Sequence, residues 1–183
     1  MIEIEDFLED YSSLEALKSV EFKDETNDVD GVVYPLILKD VPQPVINDVV
    51  FNLTHKVLGR APINPLIFLR KSPKGVPVPH KFHTDHSMGD YSMMIYMDDE
   101  DGAGTGMAVH NNTGLTRAPY SQADLDETIN DCNNPEKWTV YKRFQMKPNK
   151  AAIFDSDRFH VALPIGGYGQ GKDSRVVLTC FFS

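Results

Sequence analysis

Apolar residues near the start of the chain recur with helical spacing. Ile4, Phe7, Leu8 and Tyr11 stand at i, i+3, i+4 and i+7, and Leu14, Leu17 and Val20 extend the series past Ser12-Ser13. This spacing predicts a helix with one buried stripe. The polar stretch from Lys23 to Gly31 reads as a surface loop. Pro44 then opens a second helix, with Val45, Val49, Val50, Leu53 and Val57 on one stripe and Gly59 at the C-terminal cap.

From about Pro65 the period shortens. Eight apolar or alternating runs follow, separated by Gly, Pro, Asn and Asp: PLIFLR, HKFHTD, YSMMIYM, GMAVH, WTVYKRFQM, AAIFD, FHVALP and SRVVLTCFF. Such runs predict the strands of a barrel or sandwich. One helical interruption is expected over 122–131, where Ser121 and Asp124 form a capping-box pattern. The expected class is mainly β (α+β): one domain, with a helical N-terminal part over 1–62 and a β-core over 63–183 that carries an insertion near 107–137.

Composition narrows the function. A chain of 183 residues with 41% hydrophobic residues supports one sizeable core. The net charge of −9 is unevenly spread: residues 1–30 hold eleven acidic and two basic side chains, whereas residues 31–183 hold sixteen of each. The neutral body gives no general drive toward nucleic acid or anionic lipid. No apolar run reaches the roughly 18 residues of a membrane span, and the acidic N-terminus lacks the pattern of a secretory signal. Two cysteines, Cys132 and Cys180, make no disulfide framework and no thiolate zinc site. The expectation is a reduced, cytoplasmic protein with free buried thiols.

Candidate chemistry gathers on the histidines. In the run His80-Lys81-Phe82-His83-Thr84-Asp85-His86, the pair His83 and Asp85 is two apart and shares one face of a strand, while His86 and His80 point the other way. An imidazole and a carboxylate on one face offer two ligands to a divalent metal. On the last strand, Arg175 shares a face with Val177, Thr179 and Phe181. A buried guanidinium needs an anionic partner.

These residues, in this order, resemble the Fe(II)- and 2-oxoglutarate-dependent oxygenase superfamily, its prolyl-hydroxylase-like branch above all. His83-Thr84-Asp85 and the distal His160 resemble that family's facial triad, which leaves three iron positions open. Met93-Met94-Ile95-Tyr96-Met97-Asp98 resembles the family's Tyr-Leu-Asn strand, and Gly104-Thr105-Gly106 the Gly-Gly-Thr turn that follows. Ala152-Ile153-Phe154-Asp155-Ser156 resembles the segment before the distal histidine, and Arg175 with Thr179 the arginine and threonine of the last strand. The resemblance spans roughly 65–183 and implies a double-stranded β-helix (a jelly-roll, cupin-like barrel) with the N-terminal helices packed outside.

The resemblance also implies roles. His83, Asp85 and His160 would bind Fe(II). Arg175, with Tyr96 and Thr179, would hold the far carboxylate of the cosubstrate 2-oxoglutarate. With O2, the enzyme would be a dioxygenase that couples oxidative decarboxylation to hydroxylation of a second substrate, which the sequence does not identify. Asp85 argues against the halogenating variants, which lack this carboxylate. Phe181 stands where the nucleic-acid dealkylating branch has a second arginine, so nucleic acid is not the expected substrate. Two alternatives remain open at this point: a cupin-like metal enzyme that does not use 2-oxoglutarate, and a non-catalytic binding module on the same barrel. Oligomeric state is also open.

Overall fold

The computed structural model describes residues 1–27 and 31–183. Along the chain run β1 (Ile2–Ile4), α1 (Tyr11–Glu15), β2 (Lys23–Thr26), β3 (Val33–Leu38), α2 (Gln43–Asn52), β4 (Leu66–Ser72), β5 (Tyr91–Tyr96), β6 (Gly104–His110), α3 (Gln122–Asp131), β7 (Trp138–Gln145), β8 (Ala151–Asp155), β9 (His160–Leu163) and β10 (Arg175–Phe182). All pairings are antiparallel. They build a seven-stranded sheet in the order β1-β8-β5-β10-β4-β3-β2 and a three-stranded sheet in the order β7-β6-β9.

The large sheet is buried on both faces at its centre, which is why β10 reads as a nearly continuous apolar run. Alternation sorts its residues. Val176, Leu178, Cys180 and Phe182 of β10 face outward, with Leu69, Met93, Ile95 and Ile153, and pack against Val45 and Val49 of α2 and Leu53 just beyond it. The inward face carries Val177, Met94, Tyr96, Ala152 and Phe154, which meet Met107 and Phe144 of the small sheet. One face therefore holds the helices in place, and the other lines the space between the sheets.

Several sequence expectations change here. The first helix is short, because Asn149 clamps the chain before it. Phe7 donates its N–H to the Asn149 carbonyl, Leu8 donates to Asn149 Oδ1, and Asn149 Nδ2 donates to the Leu8 carbonyl. Residues 2–4 instead extend β8 as an edge strand. Asp10 caps α1, accepting from the Ser13 N–H. Part of the stretch from Lys23 to Gly31 is β2, a polar strand on the sheet edge where burial imposes no alternation, and residues 28–30 of that stretch lie outside the described residues. The run HKFHTD forms no strand beyond a single bridge between His83 and His160. Gly104-Thr105-Gly106 is the start of β6 rather than a turn. Asp98, just after β5, pairs with Lys18 and accepts from the Val176 N–H.

The second helix follows expectation. Pro44 lies in its first turn, and a further turn over Leu53–Leu58 ends at Gly59 in the left-handed conformation. The expected α3 is capped by Ser121, whose hydroxyl accepts from the Asp124 N–H. Both cysteines are free and buried. Among the described residues no helix is long and apolar enough to cross a membrane.

Candidate metal and anion site

The mouth of the barrel brings His83, Asp85 and His160 together, with one donor atom from each lying within 4.8 Å of the others. Asp85 Oδ1 stands 3.6 Å from His83 Nε2, and Asp85 Oδ2 stands 3.2 Å from His160 Nε2. The backbone sets this arrangement. His83 and His160 exchange N–H to carbonyl hydrogen bonds at 3.1 and 2.9 Å, and the Asp85 N–H donates to the Ser156 carbonyl at 2.7 Å. Both imidazoles are oriented alike. His83 Nδ1 meets the Lys81 carbonyl at 3.2 Å and His160 Nδ1 the Arg158 carbonyl at 3.0 Å, which leaves both Nε2 atoms directed at Asp85. A backbone carbonyl on one ring nitrogen is the common way to present the other to a metal.

Electrostatics agree with this donor set. Burial, reinforced by the neighbouring His160, lowers the His83 pKa to about 4, so its imidazole is neutral. Asp85 is lowered to about 2: burial opposes its ionisation, but the charge and hydrogen bond of His160 outweigh burial. His160 is raised against its own burial, because Asp85 holds its proton. Two neutral-capable imidazoles and a carboxylate at these separations suit a first-row divalent cation in a facial arrangement, where ligand atoms lie ~3 Å apart.

Ser92 is a site residue that the sequence reading missed. Its hydroxyl donates to Asp85 Oδ2 at 3.2 Å and contacts the Ser156 hydroxyl at 2.9 Å. The signal was present: Ser92 is the polar member of the inward series Ser92, Met94, Tyr96. His80 and His86 stand outside the donor set, as expected, near Cys132 Sγ and Thr84 Oγ1 respectively. His110 is fully buried, between Thr113 Oγ1 at 3.0 Å and Asp131 Oδ2 at 3.1 Å. With both ring nitrogens engaged, it ties α3 to β6.

Further down the same inward face lies Arg175, only 3% exposed. Its Nη2 donates to the Gly104 carbonyl at 3.1 Å, and its Nε is buried without a partner. Gly104 is itself held at a position that only glycine fits. Its φ is 144°, and a Cβ there would sit 1.9 Å from the Phe144 carbonyl oxygen. Tyr96 is fully buried, and its hydroxyl donates to Thr105 Oγ1 at 2.9 Å. Burial keeps the Tyr96 phenol protonated, hence a donor. Thr179 shares the face, but its hydroxyl meets Met94 Sδ at 3.4 Å. The structure thus groups Arg175 with Tyr96 and Thr105, and places Thr179 one row nearer the Ser92–Asp85 contact.

The insertion borders this region. Pro119, Leu125 and Ile129 close over Phe82, His83 and Phe159 to form a cleft of about 230 Å³. Arg117 fastens the insertion to the β8–β9 connection, with Nη2 2.7 Å from Asp155 and Nη1 2.5 Å from Asp157.

No family model and no curated protein matches the chain. Among solved structures it is similar to a prolyl-4-hydroxylase from Pseudomonas putida, at 14% identity over 99% of this chain and 91% of that one, with a TM-score of 0.56. The chain has the double-stranded β-helix fold of that enzyme. That is the fold class expected from the sequence. EctD from S. alaskensis aligns with 98% of this chain and 71% of its own, at 12% identity and a TM-score of 0.48. An N-substituted L-amino acid dioxygenase from Burkholderia ambifaria aligns with 76% and 63%, at 13% and 0.41. The fold assignment rests on the first of the three.

Proposed function

We propose that this chain is an Fe(II)- and 2-oxoglutarate-dependent dioxygenase that hydroxylates a second substrate. One juxtaposition carries the reading: a His-Asp-His donor set and a buried guanidinium with an unpartnered Nε share the inner face of one barrel. The donor set suits a ferrous ion. The Arg175 guanidinium suits a carboxylate that arrives from outside, since a buried cation without a counter-ion is costly to maintain.

His83 Nε2, an Asp85 oxygen and His160 Nε2 would hold the metal, and Arg175 the far carboxylate of 2-oxoglutarate by a charge-assisted hydrogen bond. When bound, the ion and the ketoacid supply oxidative decarboxylation by O2 to succinate and carbon dioxide, with the second oxygen atom going to the substrate. The residues of this chain do the rest. The Lys81 and Arg158 carbonyls fix both imidazoles, and Ser92 fixes the Asp85 carboxylate. His160 would give up the proton that Asp85 holds and so free Nε2 for the metal. Tyr96, kept protonated, would turn its hydroxyl from Thr105 Oγ1 to the anion beside Arg175. Met94, Met107, Phe144 and Phe154 keep water from the inner face and so strengthen each of these contacts.

The test is succinate formation from 2-oxoglutarate in air with Fe(II), compared between the native protein and His160→Ala. Iron-dependent succinate that is lost in the variant supports the proposal. Ketoacid left intact by the iron-loaded protein, or consumed equally by the variant, overturns it.

A further inference from the structure

A second arginine faces the same chamber. In the large sheet, Val177 of β10 stands opposite Tyr96 of β5 on one side and Arg70 of β4 on the other. Residues directly opposite in antiparallel strands share a face. Arg70 therefore points inward with Tyr96 and Val177, while its neighbour Leu69 packs in the outer core. Arg70 is partly buried; its Nε is sealed from solvent and has no hydrogen-bond partner. Asp85 is the charge that most favours its guanidinium, and the Arg70 charge is felt in turn by His83, His160 and Arg175. By register, the Arg70 row lies between Arg175 and the row of Ser92, which contacts Asp85.

Charge counting gives it a role. Beside the two histidines, the inner face carries the charges of Asp85, Arg70 and Arg175, while Glu3, opposite Ala152 at the sheet edge, is paired with Lys150. Asp98, at the base, is paired with Lys18. Once a metal holds both histidines they are neutral, and these side chains sum to +1. A divalent metal and a dianionic ketoacid cancel each other, so the loaded chamber carries that +1. Arg175 is matched by the ketoacid and Asp85 by the metal. Arg70 is the cation left over.

We propose that Arg70 binds a carboxylate of the primary substrate, which makes that substrate a small organic acid or a molecule with a free carboxylate. This rests on the ketoacid reading above, because that reading assigns the other charges. A carboxylate at Arg70 would be anchored on β4, on the chamber side that faces the metal donors, and so would set which carbon of the substrate lies nearest the metal. Arg70 is then a specificity-determining residue.

The probe is 4,4,4-trifluorobutyrate, a carboxylate without the keto group, followed by 19F relaxation on Mn(II)-loaded protein with saturating 2-oxoglutarate. The neutral control is 4,4,4-trifluorobutyramide. The acid should show saturable broadening, with the amide at least about tenfold weaker, as for loss of a buried charge pair. Arg70→Gln should weaken the acid by about tenfold or more, Arg70→Lys should restore part of it, and 2-oxoglutarate affinity in Arg70→Gln should stay within about threefold. Equal binding of acid and amide overturns the proposal without any variant. So does acid binding unchanged in Arg70→Gln, or no saturable broadening with the native protein. If Arg70→Gln weakens 2-oxoglutarate as much as the acid, Arg70 serves the ketoacid and the proposal also fails. Absence of Mn(II)-dependent 2-oxoglutarate binding by the native protein instead sinks the ketoacid reading, and this inference with it.

Discussion

Arg175→Met separates stability from binding. Arg175 is 3% exposed, donates a single hydrogen bond to the Gly104 carbonyl at 3.1 Å, and leaves Nε unpartnered. Methionine keeps the apolar stem, adapts to the cavity and removes the buried charge. Relief of an uncompensated buried donor is worth about 1–3 kcal/mol, so the metal-free variant should be more stable than the native protein. For a domain of this size, ~1 kcal/mol moves the melting temperature by about 2–4 °C, giving a rise of about 2–12 °C. Binding should move the other way. Loss of a buried partner to a carboxylate costs about 2–5 kcal/mol, or roughly 30-fold to several thousand-fold in 2-oxoglutarate affinity. Thermal melts of metal-free protein and calorimetry with Mn(II) read the two signs. A lower melting temperature together with unchanged 2-oxoglutarate affinity would refute the reasoning, because Arg175 would then be a structural cation.

Three further outcomes follow from the same geometry. Gly104→Ala places a Cβ against the Phe144 carbonyl at a backbone conformation that L residues resist, and should cost roughly 3 kcal/mol, seen as a drop of about 6–12 °C in melting temperature. Ser92→Ala removes the hydroxyl that orients Asp85 and should weaken Mn(II) binding by about 10- to 100-fold by calorimetry, with little change in melting temperature. Metal-free protein should be most stable near pH 6.5. His83, lowered to about 4, contributes stability that is lost as pH falls from 6.5, whereas raised His160 contributes stability that is lost as pH rises above 6.5. Metal reverses the second slope, since it binds only unprotonated His160. Urea melts across pH with chelator and with Mn(II) should therefore diverge above pH 6.5, and parallel curves would contradict the assignment.

The strands were legible wherever one face is buried. The inward and outward sets of β10 could be read from period 2 alone, and Arg175 stood out as a charge on a buried face. The pair His83 and Asp85 was readable from its spacing, although the segment forms only a bridge, because two residues of extended backbone suffice to align them. His160 became its partner only through the order of a resembled family, since no local signal links residues 75 positions apart. The N-terminus misled because Phe7 and Leu8 are buried by a tertiary clamp on Asn149, not by a helix face. Strand β2 was invisible, being polar throughout on an edge. Arg70 could not be separated from a solvated strand position until its register with Val177 and Tyr96 was known. Thr105 was hidden in the same way, its role depending on what lies across the barrel, whereas Ser92 was marked as a polar residue on a buried face.

The central claim is a metal-dependent ketoacid site, and calorimetric titration of 2-oxoglutarate into the protein tests it most directly, with and without Mn(II) and in His83→Ala. The account predicts one equivalent bound in the presence of the metal, and little heat in its absence or in the variant. Binding of the same strength without metal, or none with it, would contradict the account.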